Sequence, residues 1–399
     1  MTEGFITVAG VGTGSESHLT PEVKDAIKNS DLIFSSSRFQ KLIPDEKKYF
    51  ELKNFKDAFE KIAYENKRAL ILVSGDVGVY SLLPLVKKFF PDEKIKVLPG
   101  ISSLQVICAE ACELWNDAKI LSGHGRELSS GKFLNAVERN RITILFCDKN
   151  ISPQWACKEL ENFSEVEIFI GENLGSSDEK ISHGKPCEFV NENFSAMSVV
   201  LVRNNDVYKP EKKFLRDKDF FREKNIVMTN ENIRAAIISK LELKDASIFW
   251  DIGAGSGSIS ISIAHENPEI EIYSIEHKIE AVNLISKNAE KFHVHNIKIL
   301  HGRAVDVIKN IPLPSHVFIG GSDGELTDIL KFLQNLDNNI RIVTACVTLE
   351  NFSAAYDIMK GMKNFEAVQI SVTSSKSLTS ELTLMSAKNP VMILSANTK

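Results

Sequence analysis

Residues 248–261 read Ile-Phe-Trp-Asp-Ile-Gly-Ala-Gly-Ser-Gly-Ser-Ile-Ser-Ile, an apolar run feeding a turn with glycines at 253, 255 and 257. Glycine in such a turn lets the backbone approach a ligand closely and take up positive φ where the chain must bend. Glu276 ends the next strand-like run, Tyr-Ser-Ile-Glu, and an acid there accepts hydrogen bonds from both hydroxyls of a ribose. The chemistry indicated is recognition of a nucleoside-bearing cofactor. A dinucleotide and a sulfonium methyl donor both satisfy it, and two positions separate them. The dinucleotide pattern Gly-x-Gly-x-x-Gly would place its third glycine at Ser258. Asp251, two residues before the first glycine, suits the cationic amino group of a methionine moiety and not a pyrophosphate. S-adenosylmethionine is the expected ligand. A dinucleotide-dependent oxidoreductase is the alternative, and a purely structural glycine turn is the bland reading.

The first half holds a different set of turns. Val8-Ala-Gly-Val-Gly-Thr-Gly14, Ser35-Ser-Ser-Arg38, Val73-Ser-Gly-Asp-Val-Gly78, Pro99-Gly-Ile-Ser-Ser103 and Ser122-Gly-His-Gly-Arg126 each sit at or just past the carboxyl end of an expected strand. Open α/β sheets bind ligands there. Single residues carry competing readings: Asp76 as a ligand contact or a helix cap, Arg126 as an anion contact or a surface ion pair, His124 as a general base or a turn residue. His293, His295 and His301 fall on a helix end and the strand after it. With no cysteine or carboxylate at ligand spacing, they read as a solvated rim and not a metal site. The six cysteines, at 108, 112, 147, 157, 187 and 346, form no Cys-x-x-Cys pair and read as reduced thiols. Cys108 and Cys112 would share one helix face as packing residues.

These residues need elements to hold them. Short runs rich in Val, Ile and Phe predict strands at Ile6–Ala9, Leu32–Phe34, Ala69–Val73, Ile95–Leu98, Ile142–Phe146, Val166–Ile170 and Ser198–Val202. Their Gly, Ser, Asp and Pro borders suit strands buried on both faces. Helical patterns alternate with them, one opening at Thr20-Pro21-Glu22 with a cap, a first-turn proline and an acid that complements the helix dipole. The alternation predicts an α/β architecture with a largely parallel sheet. Residues 204–222 are polar, interrupted by Pro210, and read as a linker. A second α/β series follows, with a helix near Asn230–Lys240 and strands at Ser247–Trp250, Glu271–Ile275, Lys298–Leu300, Val317–Ile319 and Ile340–Thr344. Val368–Val372 and Val391–Ser395 close the chain, and the short polar stretch between them predicts an antiparallel ending. The expected organisation is a first domain over 1–203, a linker over 204–222 and a second domain over 223–399.

The bulk properties agree. A chain of 399 residues exceeds one ordinary core, and 43% hydrophobic residues suit globular domains. The net charge of -5 gives no global reason to expect nucleic acid as a partner. No basic flank with an apolar run opens the chain, and no apolar stretch approaches about eighteen residues. A cytoplasmic protein with no membrane association is expected.

Asp251–Gly257, Glu276, Leu300-His-Gly-Arg-Ala304, Val317-Phe-Ile-Gly-Gly-Ser-Asp-Gly-Glu-Leu326, Val347-Thr-Leu-Glu-Asn351 and Asn389-Pro-Val391 together resemble the decarboxylating methyltransferases of corrin-ring biosynthesis, across essentially all of 223–399. The five turns of the first half, with Gly171–Glu179, resemble the tetrapyrrole methylases over about residues 4–203, in the subtype that precedes the decarboxylating domain. The resemblance implies a tetrapyrrole-methylase-type α/β domain, then a Rossmann-like class I methyltransferase domain with a mostly parallel sheet and an antiparallel last strand. In the second domain it implies that Thr229 reaches the methyl donor from the segment before the first strand. Gly253, Ala254, Gly255, Ser256 and Gly257 would cradle the methionine end, Glu276 the ribose, and the backbone of Ala304 the adenine side. In the first domain it implies a second donor held by Gly10, Gly12, Gly14, Gly75, Asp76, Ser102 and Ser103, hence one S-adenosylmethionine per domain. Three positions depart from the family pattern. Arg303 stands where an acid is usual, Val77 where proline is usual, and Leu378-Thr-Ser-Glu-Leu-Thr383 where the loop usually contains glycine.

The activity implied is methylation of carbons 5 and 15 of a precorrin or cobalt-precorrin, with loss of carbon dioxide from an acetate arm, in cobalamin biosynthesis. A chain with only one active domain is the alternative. The tetrapyrrole's carboxylates would need cationic partners, and Arg38, Arg126 and Arg234 are the candidates. No Cys-His or Ser-His-Asp constellation is evident, which suits an acceptor carbon that is already enamine-like. The resemblance also implies a homo-oligomer.

Overall fold

The strand-like runs form parallel sheets whose carboxyl edges carry the glycine-rich turns. The computed structural model describes residues 6–123, 128–210, 214–377 and 382–399. Two units emerge, Met1–Leu128 with Asn140–Val207, and Ser129–Arg139 with Tyr208–Lys399.

The first unit opens with β1 (Ile6–Gly10), β2 (Leu32–Ser35), β3 (Tyr49–Glu51), β4 (Ala69–Val73) and β5 (Ile95–Leu98), all parallel in the order β3-β2-β4-β1-β5. This order brings the ends of β1, β4 and β5 together. Gly10 is packed so tightly there that an added Cβ would lie 2.5 Å from the Gly75 carbonyl oxygen. The two loops are also bridged, Gly12 N donating to Gly75 O at 3.2 Å and Gly75 N to Gly12 O at 2.7 Å. A second sheet holds β6 (Lys119–Ser122), β7 (Ile142–Phe146), β8 (Val166–Glu172), β9 (Lys180–Gly184) and β10 (Ser198–Asn204), in the order β6-β7-β10-β8-β9. Within this unit, the expectation of a largely parallel sheet holds for the first of its two sheets. β10 inserts antiparallel between β7 and β8, leaving β6–β7 as the parallel pair.

The helix Pro21–Asn29 begins as its sequence predicts, with Thr20 Oγ1 accepting from Val23 N at 3.3 Å. Cys108 and Cys112 do not share a helix face. The helix Ser103–Glu110 ends first, and Cys112 turns out into solvent with φ 51°.

The second unit is built on β11 (Ile248–Ile252), β12 (Glu271–Glu276), β13 (Ile297–His301), β14 (His316–Ile319), β15 (Arg341–Cys346), β16 (Lys363–Ile370), β17 (Thr373–Ser377), β18 (Thr383–Ala387) and β19 (Val391–Asn397). Its main sheet runs β13-β12-β11-β14-β15-β19-β16, parallel from β13 to β15, with β19 antiparallel to both neighbours. β17 and β18 form a separate hairpin between β16 and β19, with almost every residue exposed.

The segment expected to be linker is partly core. Leu215 and Phe220 are buried against Ile233, Ile237 and Phe249, so the chain joins the second unit well before residue 223. Arg234 explains how. It lies fully buried on the helix Glu231–Leu241 and donates to Asp217 Oδ1 at 3.0 Å, Thr229 O at 2.8 Å and Leu215 O at 2.6 Å. The assignment of Arg234 to substrate binding is therefore corrected: its guanidinium clamps the incoming segment and faces no open space.

The three histidines stand at the surface, His293 and His301 exposed and His295 half-buried, and two of them share a carboxylate that the sequence did not suggest. His293 Nδ1 and His295 Nε2 each lie 2.7 Å from Glu138, on the helix Ser130–Arg139, and Tyr208 stacks on His293 at 4.2 Å. His301 instead bonds the carbonyl of His277 at 2.9 Å. Among the described residues no helix is long and apolar enough to cross a membrane.

Candidate active site

In the second unit a cavity of about 240 Å³ lies at the carboxyl ends of β11, β12 and β14. The sheet order reverses there, and open α/β sheets form their ligand crevice at such a point. Thr229, Asp251, Gly253, Ala254, Gly255, Glu276 and Ala304 all line it. Ser256 and Gly257, also expected in the cradle, stand behind it. Ser256 N donates to Val227 O at 3.1 Å, and Gly257 turns the chain into the helix Ser258–Glu266.

Gly253 shows why the turn tolerates no side chain. It holds φ 69°, and a Cβ there would collide with the backbone of Gly321. The turn is tied to β12, with Gly253 N donating to Ile275 O at 2.9 Å and Gly255 N to Glu276 Oε2 at 2.9 Å. Glu276 Oε1 accepts from His277 N and Lys278 N, each at 2.9 Å, which fixes the carboxylate at the cavity wall before any ligand arrives.

Asp251 is wholly buried at the end of β11. Oδ2 accepts from Ser260 N at 3.1 Å and Ser260 Oγ at 2.5 Å, and Ser260 Oγ in turn meets Ser274 Oγ at 2.5 Å. Oδ1 has no partner. Burial pushes this carboxyl up to about 6, against the opposing pull of the Ser260 hydrogen bonds. A buried carboxylate oxygen with nothing to bond is costly unless a ligand donor completes it.

Arg303 and Glu325 were missed as a pair by sequence reasoning. Arg303 precedes Ala304 at the cavity and reaches the loop after β14, where Nε lies 2.6 Å and Nη2 2.5 Å from Glu325 Oε1. Both residues line the same cavity, so an acid does stand beside it, paired with the arginine at position 303. Twenty-one residues separate the two in the chain, and no periodicity links them.

The first unit has its own cavity, about 360 Å³, at the carboxyl ends of its strands. Gly12, Arg38, Gly75, Ser102 and Ser103 line it as expected. Gly10, Gly14 and Asp76 do not. Gly10 and Gly14 are packing positions, against Gly75 and the Phe39 ring respectively. Asp76 caps no helix: Oδ1 accepts from Gly78 N at 2.7 Å and Oδ2 from Gly100 N at 2.9 Å, tying two loops together. Val77, in the position of the usual proline, is buried in the core beside that tie.

Arg38 donates to Thr13 O at 3.2 Å and Ser74 Oγ at 3.4 Å, and stacks over Phe39 at 4.6 Å. No carboxylate faces it among the described residues, so it is available to an anionic ligand. Phe146, Cys147, Leu174 and Met197 complete the lining and were not anticipated, because apolar residues at strand ends look like ordinary core. Burial pushes the Cys147 thiol up, which keeps it protonated and inert. His124 and Arg126 lie outside the described residues, as do residues 378–381 of the departing loop.

A glycine turn between an acid-ended first strand and an acid-ended second strand, on a parallel sheet with an antiparallel β19, defines a class I α/β methyltransferase fold. The precorrin methyltransferase domain family matches residues 219–398, and the tetrapyrrole (corrin/porphyrin) methylase family matches residues 6–188. The cobalt-precorrin-6B C(15)-methyltransferase (decarboxylating) of Salmonella typhi is 35% identical over 163 residues, 40% of this chain and 84% of that protein. A probable enzyme of the same name from Methanococcus maripaludis is 33% identical over 186 residues, 46% of this chain and 99% of that protein. The precorrin-6Y C(5,15)-methyltransferase [decarboxylating] of Sinorhizobium sp aligns across both units, 24% identical over 358 residues, 87% of this chain and 85% of that protein. The chain belongs to the family of decarboxylating precorrin methyltransferases.

Proposed function

We propose that this chain methylates carbons 5 and 15 of a precorrin or cobalt-precorrin and releases carbon dioxide from an acetate arm, in cobalamin biosynthesis, with one S-adenosylmethionine site in each unit. The observation that carries the reading is the unpartnered Oδ1 of Asp251 in a cavity walled by Gly253, Gly255 and Glu276. A methionine ammonium fits that oxygen, and a pyrophosphate does not. The donor, when bound, supplies a methyl group already attached to a good leaving group. The protein's part is to orient donor and acceptor and exclude water.

In the second unit Asp251 and the glycine turn would hold the amino-acid end and Glu276 the ribose hydroxyls. The backbone around Ala304 would face the adenine, with Arg303 and Glu325 closing that side. In the first unit the walls at Gly12, Gly75, Ser102 and Ser103 would hold the second donor, and Arg38 would meet a carboxylate of the ring. Loss of carbon dioxide needs an electron sink, which the conjugated ring provides. Family membership further supports a cytoplasmic homo-oligomer, which sedimentation of the purified chain tests.

Incubation of the full chain with metal-free and cobalt-loaded ring substrates and methyl-labelled donor tests the central reaction. Two labels incorporated and carbon dioxide released is the expected result, and the productive ring identifies the substrate form. No incorporation with either ring would sink the reading. Titration with NADH against S-adenosylhomocysteine decides the oxidoreductase alternative, with binding of the homocysteine compound alone expected.

A further inference from the structure

With Arg234 withdrawn into the core, the second unit needs other cations for a polycarboxylate acceptor. An open cleft of about 520 Å³ is lined by Arg216, Lys218 and Arg222 and also by Val372 and Ser374. It shares Asp217, Arg222 and Asn230 with a second cleft of about 290 Å³, which Lys388 also lines. That second cleft shares Ile226 with the donor cavity. The combined space suits a small-molecule site, which typically spans roughly 300–1,000 Å³.

The acids in these clefts are already engaged. Asp217 Oδ1 holds Arg234 at 3.0 Å and Oδ2 lies 3.5 Å from Arg222. Glu231 Oε2 accepts from Asp217 N at 2.8 Å, and Glu223 pairs with Lys287 at 3.4 Å. Arg216, Lys218 and Lys388 are exposed and have no carboxylate partner among the described residues. The cleft is therefore cationic in excess. The hairpin that contributes Ser374 to the cleft adds apolar surface beside it. Ser374 pairs with Ser386 and Lys376 with Leu384 in the β17–β18 hairpin, and directly opposed residues at period two share one face. Leu384, 52% exposed, thus lies on the face of Ser374, together with the cation of Lys376.

We propose that this cleft, through Arg216, Lys218, Arg222 and Lys388, takes the carboxylate arms of the tetrapyrrole in the second unit, with Leu384 against its apolar ring. The proposal rests on the function proposed above and assigns the acceptor's place beside the donor cavity. Arg234 becomes the positioning residue, since its buried clamp on Leu215 and Asp217 holds the strip that carries the cations.

Uroporphyrin, an octacarboxylate, serves as the probe, bound to the full chain and followed by fluorescence at two salt concentrations. The Arg216→Gln/Lys218→Gln/Lys388→Gln variant should bind it at least about tenfold more weakly at low salt, with a shallower salt dependence. Its affinity for S-adenosylhomocysteine should stay within about twofold of wild type, which excludes a folding defect. The charge-preserving Arg216→Lys/Lys218→Arg/Lys388→Arg variant should restore uroporphyrin binding. With ring substrate, the neutralised variant should raise KM for carbon dioxide release while kcat is retained. Uroporphyrin affinity and salt dependence equal to wild type would overturn the proposal. Uroporphyrin binding lost in the neutralised variant, from a wild type that neither methylates nor decarboxylates the ring, would uphold the cleft and overturn the functional reading instead.

Discussion

Asp251 concentrates the chemistry of the second site in one carboxyl group. Its folded value of about 6 lies above the usual 3.8, because burial penalises the charge more than Ser260 relieves it. The fold therefore favours the protonated acid. That contribution is fully present below about pH 4 and is lost as pH rises through about 6. At pH 8 the ligand-free protein carries a buried charge with one unpartnered oxygen, and Asp251→Asn should raise its unfolding free energy by up to about 3 kcal/mol. The gain should shrink at pH 5, as urea denaturation at the two pH values would read. The same variant should weaken S-adenosylhomocysteine binding by about 10- to 100-fold, measured by calorimetry at pH 8. Unchanged affinity would remove Asp251 from the site.

Gly253→Ala should cost at least about 2 kcal/mol and abolish donor binding, since it combines a positive φ with a collision against Gly321. A melting curve and a titration like those of wild type would contradict this. The convergence of Asp251, Gly253 and Glu276 on one cavity was legible because it depends on spacing within one strand–turn–helix and the next strand. Arg234 was misread because a buried clamp and a ligand-binding arginine look alike in sequence. Only burial and three engaged donors distinguish them.

At the scale of elements, the strip 214–222 changes most from its sequence reading. Its polar composition hides two apolar residues, Leu215 and Phe220, which pack on the helix Glu231–Leu241 and on β11. Phe220→Ala should destabilise the second unit by about 3–5 kcal/mol, visible as a lowered denaturation midpoint; a linker residue would give almost no change. Arg234→Met should cost about as much by stranding Asp217, with partial recovery in the Arg234→Met/Asp217→Asn double variant. Full-strength loss in the double variant would show that the pair is not the source of the cost. The buried strands β1, β4, β7, β11 and β12 were legible because short runs dominated by apolar and β-branched residues leave few other structures. β9, β17 and β18 were not, because they are exposed on at least one face and their sequences, such as Thr-Ser-Ser-Lys-Ser, carry no apolar alternation.

For the molecule as a whole, each unit carries its own cavity at the carboxyl ends of its own parallel strands. The two glycine systems differ: one is a single turn after β11, the other a convergence of loops after β1, β4 and β5. The proposal of one donor site in each unit predicts a calorimetric stoichiometry near two for S-adenosylhomocysteine with wild type, and one of the two sites weakened in Asp251→Asn. The most direct test of one chain with two methylating sites is mass spectrometry of the ring product from wild type and Asp251→Asn, taken after one wild-type turnover at a donor concentration near the wild-type dissociation constant, where a site weaker by about 10- to 100-fold stays almost empty. Wild type should give a ring with two added methyl groups and one carbon dioxide lost, and Asp251→Asn a ring with one added methyl group and its acetate arm intact. A doubly methylated, decarboxylated ring from Asp251→Asn would contradict the assignment of the second reaction to this site.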